Sequence, residues 1–356
     1  MSKAHIIGWD VGGAHLKAAL LDANGNLLQV LQVPCALWRG LNELEAGIAE
    51  ILGKFSVSTA THAITMTGEL VDLFANRKVG VSEISHVMNT KLDGTKLFYT
   101  GTLASEFAGF VTINQVHTYW QHIASANWLA SATFVSKQVK HGLLVDIGST
   151  TADFVLIDNS QPACLGFTDA ARMQSEELVY TGVIRTPLMA VTQKIQFESA
   201  ITSVAAEYFA TTADVYRLTG DLVAEDDMAD TADGKEKTVK ASAERIARMI
   251  GHDVDDASLE VWIALAKAFK QLQVLRLQEV VKKHISRLSN HSNVSVIAAG
   301  AGSFLVKEIA ESMNLQYLEV ADFFGNLPSL NQSELKHWAS VCLPAYAVAY
   351  LAYHYN

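Results

Sequence analysis

Apolar and polar positions follow one repeated pattern at two places in the chain. Residues 6–22 read as an apolar strand that ends in Asp-x-Gly, a short turn, and a second apolar strand that ends in Asp. Residues 142–158 repeat this order of features. Short apolar runs separated by a glycine-containing turn predict a β-hairpin. Two hairpins are therefore expected, with Asp10 and Asp146 at corresponding positions.

The rest of the pattern predicts strands and helices in alternation. Helices are expected where apolar residues recur at helical spacing, and these are residues 38–55, 115–132, 205–218, 244–250, 259–288 and 333–355. Strands are expected at residues 27–33 and 61–67, with two or three short strands within residues 80–110. Pro344 should kink the last helix or begin a new segment. Alternating strands and helices predict an α/β lobe with a largely parallel sheet. This lobe is expected to end near residue 140.

The turns of both hairpins have the composition of an anion site. Glycine lets backbone amides approach a ligand closely, and successive amides in a tight turn form a concave site for anions. The candidates are Gly12, Gly13, Gly148, Ser149 and Thr150. The two strand-end aspartates suit Mg²⁺ held through water. One Asp-x-Gly is equally typical of an ordinary β-turn, so it is the repetition that favours a phosphate site.

A third glycine-rich turn lies within residues 293–310, which read as strand, turn and helix. Gly300 and Gly302 are candidates for holding a nucleotide or part of a substrate. A dinucleotide site of the Rossmann type is only weakly indicated, because a third glycine and a following βαβ run are missing.

Charged residues elsewhere supply further candidates. Glu69 and Asp72 follow the strand at residues 61–67, at the end of a parallel sheet where ligands bind. Acids are also favoured at the start of a helix, and the two interpretations have equal weight. Arg185 lies between hydroxyl-bearing residues in the segment 180–187. It suits a phosphate or carboxylate, or it pairs with one of the protein's own acids.

Acidic residues outnumber basic ones, with 37 Asp and Glu against 27 Lys and Arg and a net charge of −10. The absence of a basic run argues against nucleic-acid and anionic-membrane partners. Residues 225–237 are densely acidic and predict a solvated loop. Asp230 and Asp233 could instead present carboxylates to a metal-bound diphosphate.

Cysteine spacing and hydropathy indicate the cellular compartment in which the protein is expected. Cys35, Cys164 and Cys342 have no metal-type spacing and are expected to be buried apolar side chains in a reducing environment. No basic region followed by an apolar core comes before the first strand, so we expect no signal peptide. No apolar run reaches the roughly 20 residues that a membrane-spanning helix needs. We therefore expect a soluble cytoplasmic protein.

Taken in order, the three turns resemble the phosphate-one, phosphate-two and adenosine segments of the actin-like ATPases, which include sugar kinases, Hsp70-type chaperones and actin. The resemblance implies an α/β, two-lobed, duplicated RNase H-like fold. The first lobe would comprise residues 1–140 plus 335–356, because the last helix folds back on it in this family. The second would comprise residues 141–334, with a helical insertion at about 165–290.

Longer motifs resemble a narrower group. Residues 146–153 resemble the hydantoinase A and oxoprolinase branch of this superfamily. The tetrahydromethanopterin-linked one-carbon-transfer proteins of methylotrophs and methanogens are similar at residues 67–74, 180–187, 213–220 and 230–234. Characterised archaeal members of that group are similar to the methanofuran-biosynthesis enzyme that joins an aminomethylfuran-methyl diphosphate to a phenol. The resemblance implies a transferase that forms an aryl ether, with a tyrosine or tyramine derivative as acceptor.

This implied chemistry gives the candidate residues roles. Diphosphate would be held by the five turn residues Gly12, Gly13, Gly148, Ser149 and Thr150. Mg²⁺ would be held by Asp10 and Asp146, with both turns closing on one diphosphate. Lys17 or Arg185 would counter the negative charge, although Lys17 could equally point outward from its strand. Glu69 or Asp153 would accept the phenol proton.

Two other classes of function stay open at this point. The first is an ATP-dependent small-molecule kinase or a hydantoinase/oxoprolinase-like hydrolase, in which Gly300 and Gly302 bind adenosine. The second is a non-catalytic actin-like assembly protein, since one fold serves many functions. A bound ATP and a homo-oligomer are compatible with each of these hypotheses.

Overall fold

A computed structural model describes residues 5–57, 59–101, 109–288, 294–325, 327 and 331–355. The chain divides into two compact units. Unit 1 contains Met1–Lys140, Ile157–Pro162 and Val320–Asn356, and unit 2 contains His141–Leu156 and Ala163–Glu319.

The described residues form strands and helices in chain order. The strands are β1 His5–Val11, β2 His15–Leu21, β3 Leu27–Pro34, β4 Ala60–Met66, β5 Thr95–Tyr99, β6 Phe110–Val111, β7 Gly142–Ile147, β8 Ala152–Asp158, β9 Gln161–Pro162, β10 Leu178–Val179, β11 Lys194–Phe197, β12 Ala200–Ser203, β13 Ser295–Ala299 and β14 Gln316–Glu319. The helices are α1 Leu41–Phe55, α2 Arg77–Lys91, α3 Ile113–Ile123, α4 Asn127–Ser136, α5 Asp169–Ser175, α6 Leu188–Val191, α7 Thr212–Thr219, α8 Val239–Arg248, α9 Leu259–Ile285, α10 Ser303–Ser312, α11 Gln332–Val341 and α12 Leu343–Tyr353. Short 3-10 turns include Leu37–Arg39 and Gly68–Leu70.

Unit 1 contains a six-stranded sheet in the order β3-β2-β1-β4-β5-β6. Strand β1 is antiparallel to β2 and parallel to β4. Side chains alternate between the faces of a strand, and Ile7, Trp9 and Val11 of β1 join the hydrophobic core that includes α1 and α2. The opposite face of β1 packs against α12. A Cβ at Gly8 would lie 2.8 Å from the backbone nitrogen of Ala349, so this close approach requires glycine.

Unit 2 contains a sheet in the order β10-β8-β7-β13-β14, in which β7, β13 and β14 are parallel. When these five strands are numbered in chain order, the sheet order is 3-2-1-4-5, which is also the order of the first five strands of the unit 1 sheet. The duplicated topology confirms the predicted two-lobed, actin-like fold. Between β8 and β13 the chain adds α5 to α9 and the separate hairpin of β11 and β12, so this stretch contains the expected helical insertion.

Several predicted elements are correct and others are wrong. The long helix at residues 259–288 is confirmed as α9, and the last helix begins a new segment at Pro344, as α12. Of the two or three short strands predicted within residues 80–110, β5 lies there and β6 begins at Phe110, whereas α2 occupies residues 77–91. Val81, Ile84 and Val87 recur at helical spacing and are buried, as expected for one face of a helix.

Two other helix predictions are too long. The single helix expected at residues 115–132 is two helices, α3 and α4, separated at Ser125, whose φ is 51°. The helix expected at residues 205–218 begins only at Thr212, where Thr211 and Asp214 form a capping box.

Cysteine burial and helix hydropathy bear on two further expectations. Cys35 and Cys342 are buried as expected, whereas Cys164 is half-buried. Across the part of the chain that the structure describes, no helix is both long enough and apolar enough to span a membrane.

His62 makes the stability of unit 1 depend on pH. The side chain is 3% exposed on β4, and its Nδ1 accepts a hydrogen bond of 3.0 Å from the Trp9 indole. Burial lowers the pKa of the imidazole to about 4. The unfolded chain takes up a proton near pH 6.5 and the folded chain only near pH 4, so the free energy of unfolding falls as the pH drops between these values.

We expect His62→Gln to remove this pH dependence, because the amide oxygen can still accept from Trp9 but does not titrate. The lowered pKa corresponds to about 3 kcal/mol lost between pH 6.5 and pH 4. Urea unfolding at pH 7 and pH 4.5 measures the difference. The exposed His117, changed to Gln, is the control. Equal acid sensitivity in His62→Gln and the unaltered protein would contradict this expectation.

Candidate functional site

The two predicted hairpin turns have the same backbone geometry. The Gly12 amide donates to the carbonyl of His15 at 3.0 Å, and the Gly148 amide donates to the carbonyl of Thr151 at 2.8 Å. Each turn follows a buried strand whose second-to-last residue is an aspartate, at position 10 or 146. The sequence repeat is therefore a structural repeat, with one copy in each unit.

The first turn is packed against other segments of unit 1. The Leu37 amide donates to the Gly13 carbonyl at 3.0 Å. A Cβ at Gly13 would lie 2.7 Å from Cγ1 of Val71, and a Cβ at Gly12 would lie 2.8 Å from the His15 carbonyl oxygen. Both glycines are thus required by packing within the protein, whatever ligand the turn binds.

Asp10 and Lys17 lie directly opposite each other in the ladder of β1 and β2. Their side chains therefore project from the same face of the sheet. Asp10 is 4% exposed. Lys17 Nζ donates to the carbonyl of Val341 at 3.2 Å, at the C-terminal end of α11, where a cation is favoured by the helix dipole. This contact favours a structural role for Lys17 over the predicted contact with diphosphate.

Glu69 lies in the 3-10 turn that follows β4 and is 2% exposed. Its Oε1 accepts a hydrogen bond of 2.8 Å from the Ser125 hydroxyl. Asp72 is exposed. The two acids that the sequence grouped together are therefore in different environments, and Glu69 is the buried one.

The second turn is held by a loop that comes from another part of unit 2. The amide of Val183 donates to the Gly148 carbonyl at 3.1 Å. The amides of Ile184 and Arg185 donate to the Ser149 carbonyl at 3.1 and 2.9 Å. A trans peptide directs its C=O and its N–H to opposite sides. Because both carbonyls face the loop, the N–H groups of Ser149 and Thr150 are directed away from it.

Two observations bear on whether this turn could hold an anion. Among the described residues, the buried hydroxyl oxygen of Ser149 has no hydrogen-bond partner, which is costly unless a ligand supplies one. A Cβ at Gly148 would meet only the Thr151 carbonyl oxygen, at an ordinary 3.7 Å. The protein itself therefore does not require glycine at this position, and an approaching ligand would.

Two other predicted site residues of unit 2, Arg185 and Asp153, have side chains in different environments. Arg185 is bound to the turn through its backbone and its side chain is exposed. Asp153 accepts from Arg172 at 2.8 Å, and Arg172 is 1% exposed. Burial raises the pKa of Asp153 more than Arg172 lowers it. This ion pair favours a structural role for Asp153 over that of the phenol base.

The third glycine turn packs against the second hairpin. The Gly302 amide donates to the Ile147 carbonyl at 2.8 Å. Gly300 has a φ of 81°, and a Cβ on it would overlap the Asp146 carboxylate and the Ile147 carbonyl. A Cβ at Gly302 would lie 2.7 Å from Cβ of Ile147. Both glycines are therefore explained by packing against β7, and their role in nucleotide binding stays a prediction.

Most of the acidic segment is a loop, as predicted, and an ion pair with a buried arginine holds part of it. Asp233 accepts from the buried Arg245 at 3.1 Å, and Arg245 also donates to Asp214 at 2.8 Å. These contacts give Asp233 a structural partner, which weakens its proposed role at a metal. Asp230 is exposed. The described residues contain no group of three or more His, Cys, Asp or Glu side chains arranged to hold a metal ion.

This chain is similar to known proteins along most of its length. The family model for hydantoinase/oxoprolinase matches residues 60–325. The chain belongs to this family. A synthase from Methanocaldococcus jannaschii is 27% identical over 331 residues, which are 92% of this chain and 94% of that protein. A synthase from Methanococcus vannielii is 32% identical over 204 residues, which are 56% of this chain and 90% of that protein.

Both relatives have the name (4-{4-[2-(gamma-L-glutamylamino)ethyl]phenoxymethyl}furan-2-yl)methanamine synthase. Among solved structures, a nucleotide-free acetone carboxylase is similar over 98% of this chain and 70% of its own, with a TM-score of 0.52 and 11% identity. At 11% identity, this similarity supports a shared fold and nothing about function.

Sequence reasoning missed four side chains that hold candidate residues or their segments, namely Ser125 in unit 1 and Arg172, Arg245 and Gln273 in unit 2. Each is buried and bonded to a residue distant in the chain. Buried arginines within helices are a weak sequence signal, since arginine is usually exposed. Only the tertiary contacts identify them.

Proposed function

We propose that this protein forms an aryl ether in the biosynthesis of a methanofuran-type cofactor. The name shared by the two archaeal relatives describes a phenoxymethyl group on a furan ring. The bond that distinguishes such a product joins a phenol oxygen to a methylene carbon on the furan. High coverage of both relatives supports the same reaction class for this chain.

The leaving group that fits the candidate site is diphosphate. The phenol oxygen would attack the methylene carbon, and the bond from that carbon to diphosphate would break, with diphosphate taking the electron pair. The phenol proton would pass to a carboxylate. Because the furan oxygen can stabilise positive charge at the reacting carbon, catalysis mainly requires that the departing anion be stabilised.

The second turn is the observation that carries this assignment. The N–H groups of Ser149 and Thr150 are directed to one side, and the buried Ser149 hydroxyl has no hydrogen-bond partner among the described residues. Such a concave arrangement of amides binds phosphate oxygens. Asp146 is the carboxylate of this unit that we assign to Mg²⁺, with Asp10 as its counterpart in the repeat. The ion would contribute charge neutralisation to the departing diphosphate.

Glu69 and Asp153 remain our candidates for accepting the phenol proton. Asp153 is committed to the buried Arg172. Losing that carboxylate would leave the guanidinium without its acidic partner. We therefore favour Glu69, whose carboxylate is buried and accepts a hydrogen bond from a neutral hydroxyl.

The reaction can be tested directly. The protein is incubated with MgCl₂, the aminomethylfuran-methyl diphosphate and a panel of phenols that includes tyrosine, tyramine and γ-glutamyltyramine. We expect mass spectrometry to detect the ether, with one pyrophosphate released for each ether and no added nucleotide. Ether formation that depends strictly on ATP would support a kinase-type mechanism instead. Absence of ether with every phenol would overturn the proposal.

Arg185 should affect the diphosphate substrate more than the phenol. Its exposed side chain lies on the loop that holds the second turn. We expect Arg185→Ala to raise KM for the diphosphate about 10- to 100-fold, as for the loss of one charge-assisted contact. Arg185→Lys should recover only part of this, because lysine lacks the planar fork.

Steady-state kinetics with each substrate varied in turn measures this effect of Arg185. The exposed Lys267, changed to Ala, controls for the loss of one positive charge. An equal rise in KM for both substrates would argue against a specific contact with diphosphate.

A further inference from the structure

Gln273 is a buried polar side chain in the middle of α9. It is 3% exposed, and α9 is otherwise packed into the core of unit 2 through apolar residues. A buried amide is tolerated only when its donors and acceptor are bonded. Its hydrogen bonds therefore indicate which part of the structure this side chain holds.

The described hydrogen bonds of Gln273 join it to the loop that contacts the second turn and to one residue of α7. Nε2 donates to the Thr181 hydroxyl at 2.8 Å and to the Gly182 carbonyl at 3.0 Å. Oε1 accepts from the hydroxyl of Tyr216 on α7. Both donor hydrogens and the acceptor are used, so the orientation of the amide is determined by its partners.

Gly182 is held from several directions. Its carbonyl accepts from Gln273 and from the Thr212 hydroxyl, the latter at 3.0 Å, and its amide donates to the Thr186 hydroxyl at 2.8 Å. A Cβ at Gly182 would lie 2.6 Å from the Gly148 carbonyl oxygen. The backbone of this loop therefore lies directly against the backbone of the turn, with no side chain between them.

The position of Gly182 determines where the next three amides point. Those amides, of residues 183 to 185, donate to the carbonyls of Gly148 and Ser149. They thereby direct the N–H groups of Ser149 and Thr150 to the opposite side. A shift of Gly182 would rotate these peptides, so that the N–H groups of Ser149 and Thr150 would no longer point to one side. In enzymes, a misplacement of about 1 Å can lower the rate about 100-fold.

From this chain of contacts we propose that Gln273 is a positioning residue for the anion site. It orients the turn that holds diphosphate without touching the substrate. This inference rests on the proposed function, because it assigns the second turn to the leaving group. It predicts an effect on diphosphate binding that is larger than any effect on the phenol or on stability.

Two variants separate this role from simple packing. Gln273→Leu keeps most of the volume and removes the bonds to Thr181 and Gly182. Tyr216→Phe removes only the hydroxyl that anchors the amide, and therefore tests the same chain in a protein with an intact Gln273. Gln271→Leu on the exposed face of α9 is the control. Thermal unfolding establishes that each variant is folded.

The experiment measures binding of inorganic pyrophosphate in MgCl₂ by calorimetry, and KM for each substrate. We expect Gln273→Leu to weaken pyrophosphate binding at least 10-fold and Tyr216→Phe a few-fold. KM for the diphosphate substrate should rise in parallel, KM for the phenol should stay within two-fold, and Gln271→Leu should behave as the unaltered protein.

The outcomes also distinguish this inference from the proposed function. If the unaltered protein forms the ether and binds pyrophosphate, but folded Gln273→Leu and Tyr216→Phe bind it equally well, the positioning role is overturned alone. Equal losses for diphosphate and phenol would also overturn it, since they indicate general damage. If the unaltered protein neither forms the ether nor binds pyrophosphate, the proposed function and the positioning role both fall.

Discussion

Gly148→Ala is expected to reduce turnover about 100- to 1000-fold and to leave the stability of the protein nearly unchanged. The added Cβ would meet only the Thr151 carbonyl oxygen at 3.7 Å, an ordinary contact. It would also project from the turn whose amides we assign to diphosphate, and loss of one such donor costs a similar factor in other enzymes. Gly148→Ala therefore tests whether glycine is needed here for ligand binding and not for folding.

The measurements for Gly148→Ala are turnover, pyrophosphate affinity and the urea midpoint. Gly53→Ala is a matched control, because a Cβ at Gly53 on α1 meets nothing within 4 Å. It should leave turnover unchanged, which would show that an added methyl is harmless in open space. Full activity in a stable Gly148→Ala protein would mean that no ligand approaches this turn closely.

Gly300→Ala is expected to have the opposite signature, with a loss of stability of about 3 kcal/mol. One part is the left-handed backbone, since φ is 81° and this region costs a non-glycine residue about 1–2 kcal/mol. The other part is overlap with the Asp146 carboxylate and the Ile147 carbonyl, and overpacking costs about 1–3 kcal/mol. Activity should fall as well, because Asp146 would be displaced.

Gly220→Ala separates the two contributions. Gly220 also has a left-handed backbone, with a φ of 78°, but a Cβ on it would meet nothing within 4 Å. Urea unfolding should show a loss of about 1 kcal/mol for Gly220→Ala and a clearly larger loss for Gly300→Ala. Equal losses would mean that the turn at Gly300 can move away from β7 without cost.

Together these variants assign different roles to glycines that the sequence presents alike. Gly12, Gly13, Gly300 and Gly302 all occur in candidate phosphate or nucleotide turns, yet neighbouring protein atoms occupy the space that a Cβ would need. Gly148 differs because that space is open. A glycine-rich turn in a sequence therefore indicates a close approach, and only the structure shows whether the approaching group is protein or ligand.

Much of the candidate site was predictable because it is local in the sequence. Asp10 and Asp146, with the turns that follow them, occur in short alternating segments whose hairpin form depends on neighbouring residues. The correspondence of the two turns was visible as a repeat. Family membership was predictable for the same reason, since the motifs that carry it are contiguous. The residues that hold Lys17, Glu69 and Asp153 were not predictable.

Local periodicity was enough to predict the two hairpins with an aspartate at the strand end, the α/β architecture and the long helix α9, because each depends on a period of two or 3.6 residues. Only the folded protein shows that Asp153 pairs with Arg172 and that Gln273 holds the loop against the second turn. The physical reason is that burial and hydrogen bonding join segments far apart in the chain, such as residues 182 and 273. Periodicity describes one segment at a time and contains no record of the partner against which it packs.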